Sequence, residues 1–212
     1  MTADEWDNES TPSLLCDQLP DRPVFARERR LLLTACVRVL LQGSRKPLME
    51  LIDVAEDLAD GATAHEQRRE AIRGLTTTRS VTRVGLGTQT LALALQKDVS
   101  QANIRALVNG LEDLLLTPER VLLSMEMLCD LLRDIFGNPF RSIRIDASWR
   151  TPTTIAIATQ MYESRDFRPM LILADALEDA GCENAEILDH CRHPEGMHAR
   201  GCWVADAVLG KK

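Results

Sequence analysis

The chain has 212 residues, is 45% hydrophobic and 4% aromatic, and carries a formal net charge of −7. That length is enough to bury one medium core or two small packed ones, and a core so poor in aromatics has to be built from Leu, Ala, Val, Ile and Met, which suits helix packing better than sheets. The acidic balance argues against non-specific binding to DNA, RNA or an anionic membrane, because binding to phosphate needs a local excess of positive charge.

Residues 1 to 22 read as a loosely ordered leader with Leu14 and Leu15 as anchors. They carry no charged-then-apolar export signal, and no stretch of the chain reaches the ~18 uninterrupted apolar residues of a membrane span, so a cytoplasmic protein is expected. A first firm helix is predicted from Ala26 to Gln42, with Arg27, Arg29 and Arg30 as a solvated start, Leu31 to Leu41 as the apolar body and Gly43-Ser44 as the stop. Leu48, Leu51, Ile52, Ala55, Leu58 and Ala59 then recur at helical spacing until Gly61, and Thr63 with Glu66 forms a capping-box start for a short polar helix.

Between Leu75 and Gln96 the composition turns to Thr, Val and Gly, which predicts a loop-rich segment, with room for a short hairpin, leading into a helix near Leu91. Gly85-Leu86-Gly87 lacks the further glycines and the Lys-Ser/Thr ending with which a phosphate loop surrounds its ligand, so it reads as ordinary linker. Ser100 opens a helix through Ile104, Leu107, Val108, Leu111 and Leu114, and Thr117-Pro118 opens a long one through Val121, Leu122, Met125, Leu128, Cys129, Leu132 and Ile135. Their short connection predicts an antiparallel hairpin, and Gly137-Asn138-Pro139 ends the second helix. Ile143 and Ile145 alternate in a brief extended stretch, after which Thr151-Pro152 starts a helix through Tyr162.

The last forty residues are organised by local signals. Pro169 and Gly181 bracket an amphipathic helix with Leu173, Leu177 and Ala180 inward and Asp175, Glu178 and Asp179 outward. Asn184 caps a short helix from Ala185 to Cys191, and a His/Cys-rich turn leads to a nearly all-apolar helix from Cys202 to Leu209, whose one charge, Asp206, needs a partner if buried.

Several pieces resemble a large paralogous family of planctomycete proteins: Leu132-Arg133-Asp134-Ile135-Phe136-Gly137-Asn138-Pro139-Phe140-Arg141, Trp149-Arg150-Thr151-Pro152, Leu173-Ala174-Asp175-Ala176-Leu177-Glu178-Asp179-Ala180-Gly181-Cys182 and Arg200-Gly201-Cys202-Trp203. The likeness is concentrated from about Leu131 onward. Met1 to Trp6 and Val54 to Gly61 also resemble the family's opening, while residues 75 to 96 depart from it. The helix carrying Asp175 is similar, more distantly, to repeat-companion modules. The resemblance implies an architecture, with residues 23–130 as an N-terminal helical region and 131–212 as the family module, and implies no activity.

Six cysteines, Cys16, Cys36, Cys129, Cys182, Cys191 and Cys202, read in a reducing compartment as small buried hydrophobes. The candidate chemistry lies in the last three. Cys182, His190, His198 and Cys202 carry the donors of a tetrahedral zinc site, but no Cys-x2-Cys or His-x3-His knuckle presents two of them from one turn, so neither a metal nor any other cofactor is favoured. Cys202 with His198 or His190 as its base is a candidate nucleophile, and Asp175 a candidate acid or base, set against the plainer readings of a core thiol and a solvated helix face. Arg27, Arg29, Arg30 and Arg38 are interrupted by Glu28 and lack interleaved aromatics, which argues against nucleic acid. The expectation is an all-α protein of about eight or nine helices that binds another protein and is not an enzyme; the alternative is a small metal-dependent or Cys/His-based enzyme centred on residues 182–202.

Overall fold

The computed structural model describes residues 1–19, 22–44, 46–62, 65–75, 82–117, 122–141, 143–193 and 196–211. Over these residues the protein is all-α, with twelve α-helices, two short 3-10 turns and no strand. No described helix is long and apolar enough to cross a membrane. The chain divides into two compact units, Met1–Leu132 and Arg133–Lys212. Thr63, Thr76–Thr78, Pro118 and Val121 lie outside the described residues.

The first unit is built on α3 (Ala26–Leu40), which packs against α4 (Lys46–Ala59) and α6 (Arg83–Ala94). Leu31, Leu32 and Leu33 are all fully buried, so this helix is enclosed on every side over that turn. Its arginines are therefore not a solvated start. Arg29 and Arg30 are 2% and 6% exposed. Arg30 Nη2 donates to the carbonyls of Gln96 (2.9 Å) and Lys97 (2.8 Å), and Arg29 Nη1 to those of Arg22 (3.1 Å) and Val99 (3.4 Å). Arg68, on α5 (His65–Gly74), adds a bond from Nε to Leu95 O at 2.7 Å. Three guanidinium groups thus satisfy carbonyls of the turn that follows α6, from Leu95 to Val99. Arg27 pairs with Asp60 at 3.1 Å, and Arg38 with Asp53 and Glu56 at 2.5 and 2.6 Å.

The loop-rich reading of residues 75–96 is corrected from Arg83 onward, where α6 begins with Thr82 Oγ1 accepting from the Gly85 amide at 3.0 Å. Glycine is a poor helix former, but here its missing side chain is what permits the packing: a Cβ on Gly87 would lie 2.6 Å from Leu41 Cδ2. The Gly85-Leu86-Gly87 run is helix, with Gly87 against Leu41 and Leu86 against Gly110. The leader is also more ordered than its composition predicts, forming α1 (Ala3–Asn8) and α2 (Pro12–Gln18), with Trp6, Leu15 and Cys16 fully buried. Thr2 and Glu5 cap α1 reciprocally, and the Gln101 and Arg105 side chains of α7 (Gln101–Leu115) hold Cys16 O and Asp17 on α2. The long helix expected after Thr117 begins only at Met125, as α8 (Met125–Phe136), and α7 with α8 is not among the main packing pairs of the described residues.

The second unit contains the end of α8, a 3-10 turn (Ala147–Trp149), α9 (Pro152–Ser164), α10 (Met170–Asp179), α11 (Ala185–Arg192) and α12 (Trp203–Leu209). Helix α9 packs on α10 and α12, and α10 on α11, around Met161, Leu173, Leu177, Ile187, Val204 and Val208. The local signals act as expected: Thr151 and Asn184 accept from the amides of Thr154 (3.2 Å) and Ile187 (3.1 Å), and Gly181 turns left-handed at φ 89° to end α10. Arg150 Nε donates to Val208 O at 2.8 Å near the end of α12, and Asp206 is buried.

Candidate functional site

Four side chains of the second unit meet around one point. Asp134 comes from the last turn of α8, His190 from the last turn of α11, His198 from the loop that follows, and Cys202 from the N-cap position of α12. One donor atom from each lies within 4.8 Å of all the others, the group of this kind found among the described residues. Asp134 is 2% exposed and Cys202 not at all, and the two imidazoles close the remaining sides, with ring centroids 5.0 Å apart and nearly perpendicular. Trp203 packs 5.2 Å from His190, and Phe167 6.3 Å from His198.

The contacts inside the group are specific. His190 Nε2 lies 3.2 Å from Cys202 Sγ and also 3.2 Å from Asp134 Oδ1. His198 Nδ1 is 2.7 Å from the same Oδ1, while Asp134 Oδ2 accepts from the Ala199 amide at 2.9 Å. The far nitrogen of His198, Nε2, is buried without a hydrogen-bond partner among the described residues, so the polar anchor of that ring is the cluster.

Electrostatics follow from this packing. Burial alone would raise the Asp134 carboxyl, but hydrogen bonds to His190 and His198 outweigh it and hold the group below the usual carboxylate range. Burial, and then the neighbouring Asp134 charge, push the Cys202 thiol well above its ordinary value. A thiol so placed is not a ready nucleophile, because the thiolate is the reactive form.

The geometry also separates a catalytic relay from a convergent site. In a Cys-His-Asp relay the imidazole bridges thiol and carboxylate through its two different nitrogens. Here a single nitrogen of His190 faces both, as donors do around a common centre. His198 is oriented by Asp134 as a base would be, but among the described residues no nucleophile meets its Nε2.

Of the candidates read from sequence, His190, His198 and Cys202 come together, and Asp134 stands where that set had Cys182. Cys182 is buried in the core beside Cys191. Asp175 projects from the outer face of α10, 3.6 Å from Arg192, which also holds Glu178 at 2.5 Å. Spacing alone could not reveal Asp134, which is 64 positions from His198. Its one sequence signal is a carboxylate three residues after Leu131 and next to Ile135, on the flank of an apolar stripe. The chain matches no protein-family model, no curated protein and no solved structure.

Proposed function

We propose that the protein is a non-enzymatic, cytoplasmic helical module that acts by binding another protein, with the second unit as its recognition part and the four-residue cluster as that unit's internal organiser. The observation that supports this reading is that Asp134 and Cys202 share one nitrogen of His190, so Asp134 does not orient that ring through its second nitrogen as the carboxylate of a Cys-His-Asp relay does. The surface supplies a place to bind. Leu171 and Ile172 are 51% and 59% exposed on α10, and Leu171 borders a cleft of about 370 Å³ lined also by Phe167, Met170 and His193. Exposed apolar side chains grouped beside a concavity are typical of contact sites. The planctomycete-family resemblance belongs to the same proposal and adds no chemistry to it.

The test is affinity capture from the native host at endogenous expression, run in parallel with Leu171→Glu and Ile172→Glu. A partner recovered reproducibly by the parent chain and lost with either variant, at unchanged helical content, is the expected outcome. Absence of any patch-dependent partner would overturn the reading. Rapid labelling of Cys202 by iodoacetamide in the folded protein at neutral pH would favour the Cys/His enzyme instead.

A further inference from the structure

We infer that Asp134, His190, His198 and Cys202 form a closed, structural site for one divalent transition-metal ion, zinc by its donor set. Three features of the cluster carry the inference, and none depends on the identity of a protein partner.

The first is convergence. Tetrahedral zinc, with bonds of about 2.0–2.3 Å, places its ligand atoms roughly 3.3–3.8 Å apart. The contacts here run from 2.7 to 3.2 Å between neighbouring donors and reach 4.8 Å at most, so a small outward shift of the donors opens a tetrahedron.

The second is chemistry. A thiolate and two imidazoles exclude calcium and magnesium, which take oxygen ligands, and suit zinc. On binding, the Cys202 thiol releases its proton to solvent, and the imidazoles ligate in neutral form through His190 Nε2 and His198 Nδ1. Thiolate and carboxylate then neutralise the divalent ion, which removes the penalty for an uncompensated charge in a buried site.

The third is the support around the donors. Asp134 Oδ2 is held by the Ala199 amide, so the carboxylate offers Oδ1 to the centre in a fixed orientation. Such outer contacts position metal ligands. With four protein donors no position is left for water or substrate, which makes the site structural and not catalytic. The ion would bind together α8, α11, the loop after it and the start of α12.

The experiment uses the full chain purified without an affinity tag. Elemental analysis should find close to one zinc per chain, unchanged in Cys182→Ser and largely lost in Cys202→Ser and Asp134→Ala. Cobalt exchanged into the parent chain should give the strong visible bands of a tetrahedral ion, with a thiolate charge-transfer band. In Cys202→His, which keeps a ligand in place, the ion should stay and only that band should vanish; this variant keeps the test informative if Cys202→Ser does not fold. Zinc added to chelator-treated parent chain should raise its thermal midpoint. A parent chain that takes up neither zinc nor cobalt at saturating concentration, or whose metal is lost with Cys182→Ser and retained with Cys202→Ser, would overturn the inference.

Discussion

Asp134 holds the Ala199 amide with one carboxylate oxygen, at 2.9 Å, and turns the other toward the two histidines. The loop carrying His198 is therefore pinned to α8 whether or not an ion is bound. Asp134→Ala leaves the amide and both rings without this partner, and should destabilise chelator-treated protein by about 3–5 kcal/mol, the sum of several hydrogen bonds to one buried charged acceptor. Asp134→Asn keeps one oxygen for the amide and should cost about 1–3 kcal/mol. Urea denaturation followed by circular dichroism checks both, and equal losses would show that the amide contact contributes nothing.

The buried Arg30 side chain reaches out to the turn after α6, where Nη2 serves the successive carbonyls of Gln96 and Lys97 at 2.9 and 2.8 Å. A lysine ammonium sits on a shorter stem than the guanidinium Nη2 and falls short of these two carbonyls. Arg30→Lys should cost about 1.5–3 kcal/mol in urea denaturation, the range for hydrogen bonds to a charged group. A neutral result would mean that water replaces the guanidinium there.

Gly87→Ala tests the close approach of α3 and α6. The added methyl meets Leu41, whose side chain would have to shift. Overpacking of this kind should lower stability by about 1–3 kcal/mol even though alanine is the better helix former. Leu41→Ala in the same chain should recover part of the loss relative to the sum of the two single changes, and strict additivity would argue against the contact.

Cys16 gives a pH dependence. Its thiol is fully buried and is pushed up to about 12, first by burial and then by the neighbouring Asp17 charge. The folded value lies above the unfolded one, so the favourable contribution is complete below the unfolded thiol range and is lost as pH rises from about 9 to about 12. The thermal midpoint should thus fall above pH 9 less steeply in Cys16→Ala than in the parent chain. Identical slopes would remove Cys16 from the account.

Much of the second unit was legible because its helix ends are written in single residues: Thr151, Asn184 and Gly181 each act within one turn of where they stand. The same reading failed wherever tertiary packing overrides composition. The Thr- and Gly-rich α6 is held by burial of Leu86, Leu91 and Ala94 against its neighbours, which no local propensity reports. Arg29 and Arg30 look like a solvated helix start until Leu31–Leu33 are seen to be enclosed on all sides. Asp134 was missed at the site because ligand spacing is sought along a short stretch of chain, whereas the fourth donor arrives from another helix.

That long separation also sets an order of events. His190 and Cys202 are 12 residues apart, whereas Asp134 is 64 from His198. The longer closure makes the α8 contact the costlier one to form, so the expected order has α9 through α12 assembling before Asp134 joins them. Changes at Asp134 should therefore accelerate unfolding of the second unit while leaving its refolding rate nearly untouched. On that outcome, read by stopped-flow unfolding and refolding, the carboxylate is a latch on lifetime: how long the folded unit persists depends on it more than how quickly it forms.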